Sequence, residues 1–145
     1  MNGPTSLCSS CEPIYIVLQD TLFHKGYKKG HIVTRPVSKE LVAASSRPMV
    51  LSILAGGENY GYEILKQVKL LSGGKLEWSD GMLYPVLHRL EREGLIKGRW
   101  QLTDEGRRRK YYRLTARGKG QLATDQENWR MVHGALEMSW RGGHV

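Results

Sequence analysis

The stretch Gly106 to Thr115, GRRRKYYRLT, restricts the fold more than any other part of this chain. It alternates as a β-strand does, yet it opens with four consecutive cations, Arg107 to Lys110. A strand buried on both sides cannot hold them, because an unpaired charge in an apolar interior costs more than a marginally stable fold can offset. The strand must therefore have a packed face, carried by Tyr112 and Leu114 while Tyr111 and Arg113 point the other way, and a cationic part that faces something negative. The surroundings extend this asymmetry: residues 107–119 hold seven Lys or Arg and no Asp or Glu, in a chain of net charge +8. A one-signed patch of that size points to a polyanion, either nucleic acid or an anionic membrane.

The membrane alternative finds little support. No stretch approaches the roughly 20 apolar residues that cross a bilayer. Ile14 to Leu18 is too short for a signal peptide and lacks its basic flank. Cys8 and Cys11 form one CxxC with no second pair, half the ligand set of a zinc site, so no metal and no cofactor is expected. Without further cysteines a reducing cytoplasm is the default compartment.

At 145 residues the chain is long enough for one domain with a real core. Residues 1–36 show no sustained period and read as a poorly ordered extension. They also fit upstream sequence read in frame, with Lys28-Lys29-Gly30 encoded by a ribosome-binding stretch and translation starting at Val33 or Val37. From Ser38 the order is helix, helix, helix, hairpin, helix. The first helix presents Leu41, Val42, Met49, Val50, Ile53 and Leu54, capped by Ser38 and stopped by Gly56-Gly57. Pro48 either bends it or begins its main part. The second repeats Ile64, Leu65, Val68 and Leu71 and ends at Gly73-Gly74. The third, capped by Ser79 or Asp80 and closed by Gly94, buries Leu83, Leu87 and Leu90 and turns Tyr84, His88 and Glu91 another way. Pro85 is expected near its first turn.

Two strands, LIKGRWQLT and RRKYYRLT, flank a turn at Asp104-Glu105-Gly106. A two-stranded hairpin is marginal alone and must pack on the helices. In the last helix Leu122, Trp129 and Leu136 are seven apart with Val132 between them, a narrow seam that packs on another helix. The seam either folds back on its own domain or meets a second copy; with no further domain to receive it, the homodimer is favoured. The predicted fold class is mainly α with a small β-hairpin. Residues 37–115 form a winged helix-turn-helix and residues 116–145 a dimerisation helix. In that fold the third helix enters the major groove, the second braces it, and the hairpin lays Arg107, Arg108, Arg109 and Lys110 along phosphates.

Three segments, YGYEIL (60–65), MLYPVLHRLEREGLI (82–96) and GRRRKYYRLT (106–115), resemble the signature blocks of PadR-type transcriptional regulators in order and spacing. The resemblance runs from about residue 38 to the end, and the short C-terminal helix resembles the small subfamily. It implies a dimeric winged-helix repressor, joined through its last helix, that binds double-stranded DNA at an inverted-repeat operator. Tyr62 then reaches a phosphate from the bracing helix or packs under the hairpin, and Lys66 extends the contact. Ser79, Gly81 and Met82 open the recognition helix, and Tyr84, His88 and Arg89 follow on it. Some small-subfamily members bind flat ligands between subunits. That implies a planar aromatic effector stacked on Trp129 with Asp125 pairing its charge, against the alternative of Trp129 as filled interface core.

Enzymatic readings fare poorly: no GxSxG, HExxH or P-loop occurs, and the histidines and carboxylates lack a nucleophile–base spacing. The alternatives are a basic module that coats nucleic acid without preference, and a ligand-sequestering dimer for which DNA is secondary.

Overall fold

The computed structural model describes residues 36–142. The CxxC, Ile14 to Leu18, Lys28 to Gly30 and Val33 lie outside them. Helix α1 (Lys39–Ala55) starts where the Ser38 hydroxyl accepts from the Leu41 N–H at 3.2 Å. It runs unbroken through Pro48, which removes one intrahelical donor. Strand β1 (Asn59–Tyr60) leads into α2 (Gly61–Leu71), and α3 (Asp80–Arg92) follows with Ser79 as N-cap. The hairpin is β2 (Ile96–Leu102) and β3 (Arg108–Leu114), and α4 (Ala116–Arg141) closes the chain.

The expected hairpin is part of a three-stranded antiparallel sheet in the order β1-β3-β2. Asn59 and Tyr60 pair with Tyr112 and Tyr111, while Ile96 to Leu102 pair with Leu114 to Arg108. A third strand gives the marginal hairpin the support it needs. The register places Ile96, Gly98, Trp100 and Leu102 on one face with Leu114, Tyr112, Lys110 and Arg108. At the Ile96 end that face is core; at the Leu102 end it has left the core.

The core joins Val42, Val50, Leu51, Ile53 and Leu54 of α1 to Ile64 and Val68 of α2 and to Leu83, Leu87 and Leu90 of α3. Trp78, Leu95, Ile96, Tyr112 and Leu122 complete it. Two expected core residues differ: Leu41, in the first turn of α1, and Leu71, at the end of α2, are exposed. Leu51, which the expected apolar face left out, is fully buried. Pro85 lies just past the first turn of α3, five residues after Asp80.

Helix α4 buries Gly118, Leu122 and Asp125 in its first three turns, with Gly118 against Leu95 and Leu114 and the helix packed on α1. Leu122, only 8% exposed, belongs to the core of its own domain, so the expected seam does not begin there. Beyond Asp125 no residue of α4 is buried: Trp129 is half-buried, and Val132, Leu136 and Trp140 continue the same helical face into the open.

Candidate nucleic-acid interface

The interface is assembled where α2 begins, along the outer face of α3, and on the flank of the hairpin. Leucines at one-turn spacing fix α3 in the core, so the residues between them must look outward. Accordingly Gly81, Met82, Tyr84, His88 and Arg89 are all exposed. Ser79 is exposed too; its carbonyl accepts from Met82 and Leu83, but its hydroxyl makes no capping bond. Tyr84 and His88, one turn apart, lie with ring centroids 6.4 Å from each other, and the Tyr84 hydroxyl rests against Gly61.

Tyr62, at the start of α2, is 68% exposed rather than packed under the hairpin. Lys66, one turn on, is exposed with only a loose pairing to Glu63 at 3.8 Å.

The wing sorts its four cations into different roles. Arg107 is exposed beside the turn, which Gly106 closes with a positive φ and an N–H to Thr103 O bond of 2.8 Å. Arg108 lies over the Trp100 ring at 5.3 Å, and Arg109 over the Tyr60 ring at 4.7 Å. Stacking on an aromatic face holds a guanidinium in place while leaving its edge N–H groups free. Among the described residues none of these three arginines has a carboxylate partner.

Lys110 departs from the expectation that it lies along phosphates. Its ammonium turns inward to Glu91 of α3 at 2.7 Å and sits 5.2 Å from the Tyr112 ring. The Lys110 hydrogen bond is the main reason that the Glu91 carboxyl stays below its ordinary range, and the same bond holds Lys110 above its own. Burial pushes the Tyr112 phenol up.

Between α3 and the wing lies an open cleft of about 510 Å³. It brings together Tyr62, Tyr84, His88, Arg108, Arg109 and Lys110 from the expected set, and adds Tyr60, Gly61, Trp100 and Tyr112. Of the additions, Trp100 left a signal in the sequence, because it alternates with Ile96 and Gly98; it is 60% exposed. Tyr60 stands in the quoted YGYEIL block, but its place in the cleft depends on pairing with Tyr111, far along the chain.

Lys66, Ser79, Gly81, Met82, Arg89 and Arg107 are not among the residues that line this cleft, and the other expected residues lie on α4. Asp125 is not available to an effector's charge: it is 2% exposed and bound by Arg47 through two bonds of 2.6 and 2.8 Å and by Gln121 at 2.9 Å. The face that carries it looks onto α1. Trp129, Val132 and Leu136 follow as a continuous strip, and the sequence reading omitted its last member, Trp140.

Comparison with known proteins agrees with this geometry. A model described as the transcriptional regulator PadR-like family matches residues 50–124. Transcriptional regulator Rv3488 of Mycobacterium tuberculosis is 35% identical over 88 residues, covering 61% of this chain and 78% of that protein. The crystal structure of the PadR-like transcriptional regulator BC4206 from Bacillus cereus superposes with a TM-score of 0.63 at 29% identity, over 72% of this chain and 99% of that one. A PadR family transcription regulator from Clostridium difficile has a TM-score of 0.59 at 33% identity, over 66% and 98%. Among the described residues no helix is long and apolar enough to cross a membrane.

Proposed function

Because the chain belongs to the PadR-like family of transcriptional regulators, we propose that it is a sequence-specific DNA-binding repressor, acting as a homodimer in the cytoplasm on an inverted-repeat operator. The observation that carries this reading is the cleft. The outward face of α3 lines one cleft with Arg108 and Arg109, which have no carboxylate partner among the described residues. In such a site α3 supplies base contacts through Met82, Tyr84, His88 and Arg89, while Ser79 and Gly81 let its N-terminus approach the groove. Tyr62 and Lys66 reach the phosphates on one side, and Arg107, Arg108 and Arg109 those on the other. Asp104 and Glu105 occupy the hairpin tip, so the flank of the wing, not its tip, lies along DNA.

Residues 37–115 then form the DNA-binding unit and α4 (Ala116–Arg141) the dimerisation helix. Trp129, Val132, Leu136 and Trp140 support a second copy on the outer half of α4, because an apolar strip continuous with a buried face is left uncovered among the described residues. A planar aromatic effector stacks on Trp129 near the two-fold axis and loosens the operator complex; Asp125 has no part in it.

The test is the ratio of affinities for a duplex selected by the protein from a random pool and for an unrelated duplex. A regulator gives a ratio of about 10³ or more at physiological salt. A ratio near one makes the chain a nucleic-acid-coating module instead.

A further inference from the structure

Glu91 stands between the two halves of the interface. It leaves α3 on the side facing the wing, and each of its carboxylate oxygens has a partner there. One accepts from the Gly98 N–H of β2 at 3.0 Å, and the other from the Lys110 ammonium of β3 at 2.7 Å. A single side chain on α3 thus grips both strands of the hairpin. The grip is close: a Cβ on Gly98 would lie 2.8 Å from the Glu91 oxygen and would collide with the Lys110 side chain. Strand β2 is an edge strand, so the Gly98 N–H that points away from β3 would otherwise have only solvent. The Lys110 side chain is about three-quarters covered and that of Glu91 about two-thirds, so the pairing is partly shielded from solvent and geometrically exacting.

We propose that Glu91 is a positioning residue that sets the pose of the wing relative to α3, so that Arg108 and Arg109 meet phosphates while α3 is seated in the groove. This rests on the reading of the cleft as a DNA interface. Glu91 itself touches no DNA; it acts through Lys110 and the Gly98 backbone. Lys110 belongs to this joint, and its place among the wing cations is that of a structural counter-ion.

Electrostatics alone and positioning predict opposite signs. Glu91→Gln removes a negative charge beside a polyanion site, so a simple charge effect tightens DNA binding. Positioning weakens it, because the wing loses its brace. The experiment compares wild type, Glu91→Gln, Arg108→Ala and the double variant on the selected duplex, each over a range of salt. Arg108→Ala in the wild-type background weakens binding about tenfold, the worth of one charge-assisted hydrogen bond. In the Glu91→Gln background the same change costs about twofold or less, because non-additivity reports the coupling. Glu91→Gln alone lowers the salt slope by about one unit although no phosphate-facing cation has been removed. Lys110→Met produces the same pattern, and adding it to Glu91→Gln changes nothing more. It also stands in should Glu91→Gln fail to fold, as judged by circular dichroism.

Additive losses, or tighter binding by Glu91→Gln, overturn the proposal. So does a salt slope that Lys110→Met lowers equally in both Glu91 backgrounds, which would make Lys110 a phosphate contact. A wild-type chain that binds no duplex overturns the functional reading and this inference together; wild-type binding with additive variants overturns this inference alone.

Discussion

Replacing Gly118 by alanine should destabilise the fold, although alanine is the better helix former. Gly118 lies in the first turn of α4, where the helix crosses the Leu95 backbone. A Cβ there would fall on the Leu95 carbonyl oxygen and lie 2.8 Å from Leu114 Cδ1 and 3.0 Å from the Leu95 carbonyl carbon. Relief requires α4 to retreat by roughly 1 Å, since carbon pairs are at ease near 3.5–4.0 Å. The Leu95 carbonyl also accepts from the Thr115 N–H at 3.1 Å and the Thr115 hydroxyl at 3.0 Å, so moving it loosens the joint between β3 and α4. Overpacking of this kind costs about 1–3 kcal/mol, and weakened hydrogen bonds add about 1 kcal/mol. Against this stands a gain of about 1 kcal/mol for alanine over glycine in a helix. The net expectation is a loss of roughly 1–3 kcal/mol. Gly120, two residues on, has nothing within 4 Å of its missing Cβ, so Gly120→Ala should instead gain about 0.5–1 kcal/mol. Urea unfolding followed by circular dichroism, at one fixed protein concentration, gives both values from the midpoints. Equal stabilisation of the two variants would mean that α4 does not approach Leu95 closely, and the placement of the helix would be wrong.

Arg108→Ala combined with Arg109→Ala should weaken binding to every duplex by a similar factor and lower the salt slope by about one to two units, read from titrations at several salt concentrations. A changed order of preferred sequences would mean that the wing reads bases. Leu136→Asp should give monomers by sedimentation and a large loss of operator affinity, and an unchanged dimer would move the interface off this strip. Planar cationic aromatics should bind wild type more tightly than Trp129→Ala, and operator DNA should weaken that binding by the factor with which the ligand weakens DNA; equal ligand affinity leaves Trp129 as interface core. Glu58, held by Arg99, and Glu91, held by Lys110, both titrate below their usual 4.5. Their contribution is therefore full above that range and lost as pH falls through the lowered values. Melting temperatures should drop on acidification below about pH 4.5, and less steeply in Glu58→Gln. A Glu58→Gln profile that parallels the wild type would show that the Arg99 pairing adds nothing to stability.

The elements visible in the sequence are those whose cause is local. Leucines at one-turn spacing located α3, Ser38 its cap on α1, and Asp104-Glu105-Gly106 the hairpin turn, because each signal lies within a few residues of its effect. Strand β1 was illegible: two residues carry no period, and they become a strand only by meeting Tyr111 and Tyr112. The cationic run was legible as a run but not as four separate fates. Lys110 alternates with Arg109 and Arg113 without any mark that it faces Glu91, since that pairing exists only once the hairpin docks on α3. Asp125 and Leu122 show the same limit on α4. Their spacing from Trp129 is that of a seam, yet α1 covers the first part of the helix and leaves the rest bare. A heptad states which residues share a face, and only the tertiary fold states where along the helix the neighbour stops.

The point where the neighbour stops makes α4 a lever. Its root is clamped by Arg47 and Asp125, and the sixteen residues from Gln126 to Arg141 project about 24 Å past that clamp at 1.5 Å per residue. A tilt of about 5° at the root displaces the tip by roughly 2 Å, more than a packed side-chain interface tolerates without repacking. Angular error at one buried carboxylate is thus amplified along the shaft. Whatever seats on Leu136 and Trp140 receives its aim from one pair of charges, Arg47 and Asp125, that lie 78 positions apart in the sequence.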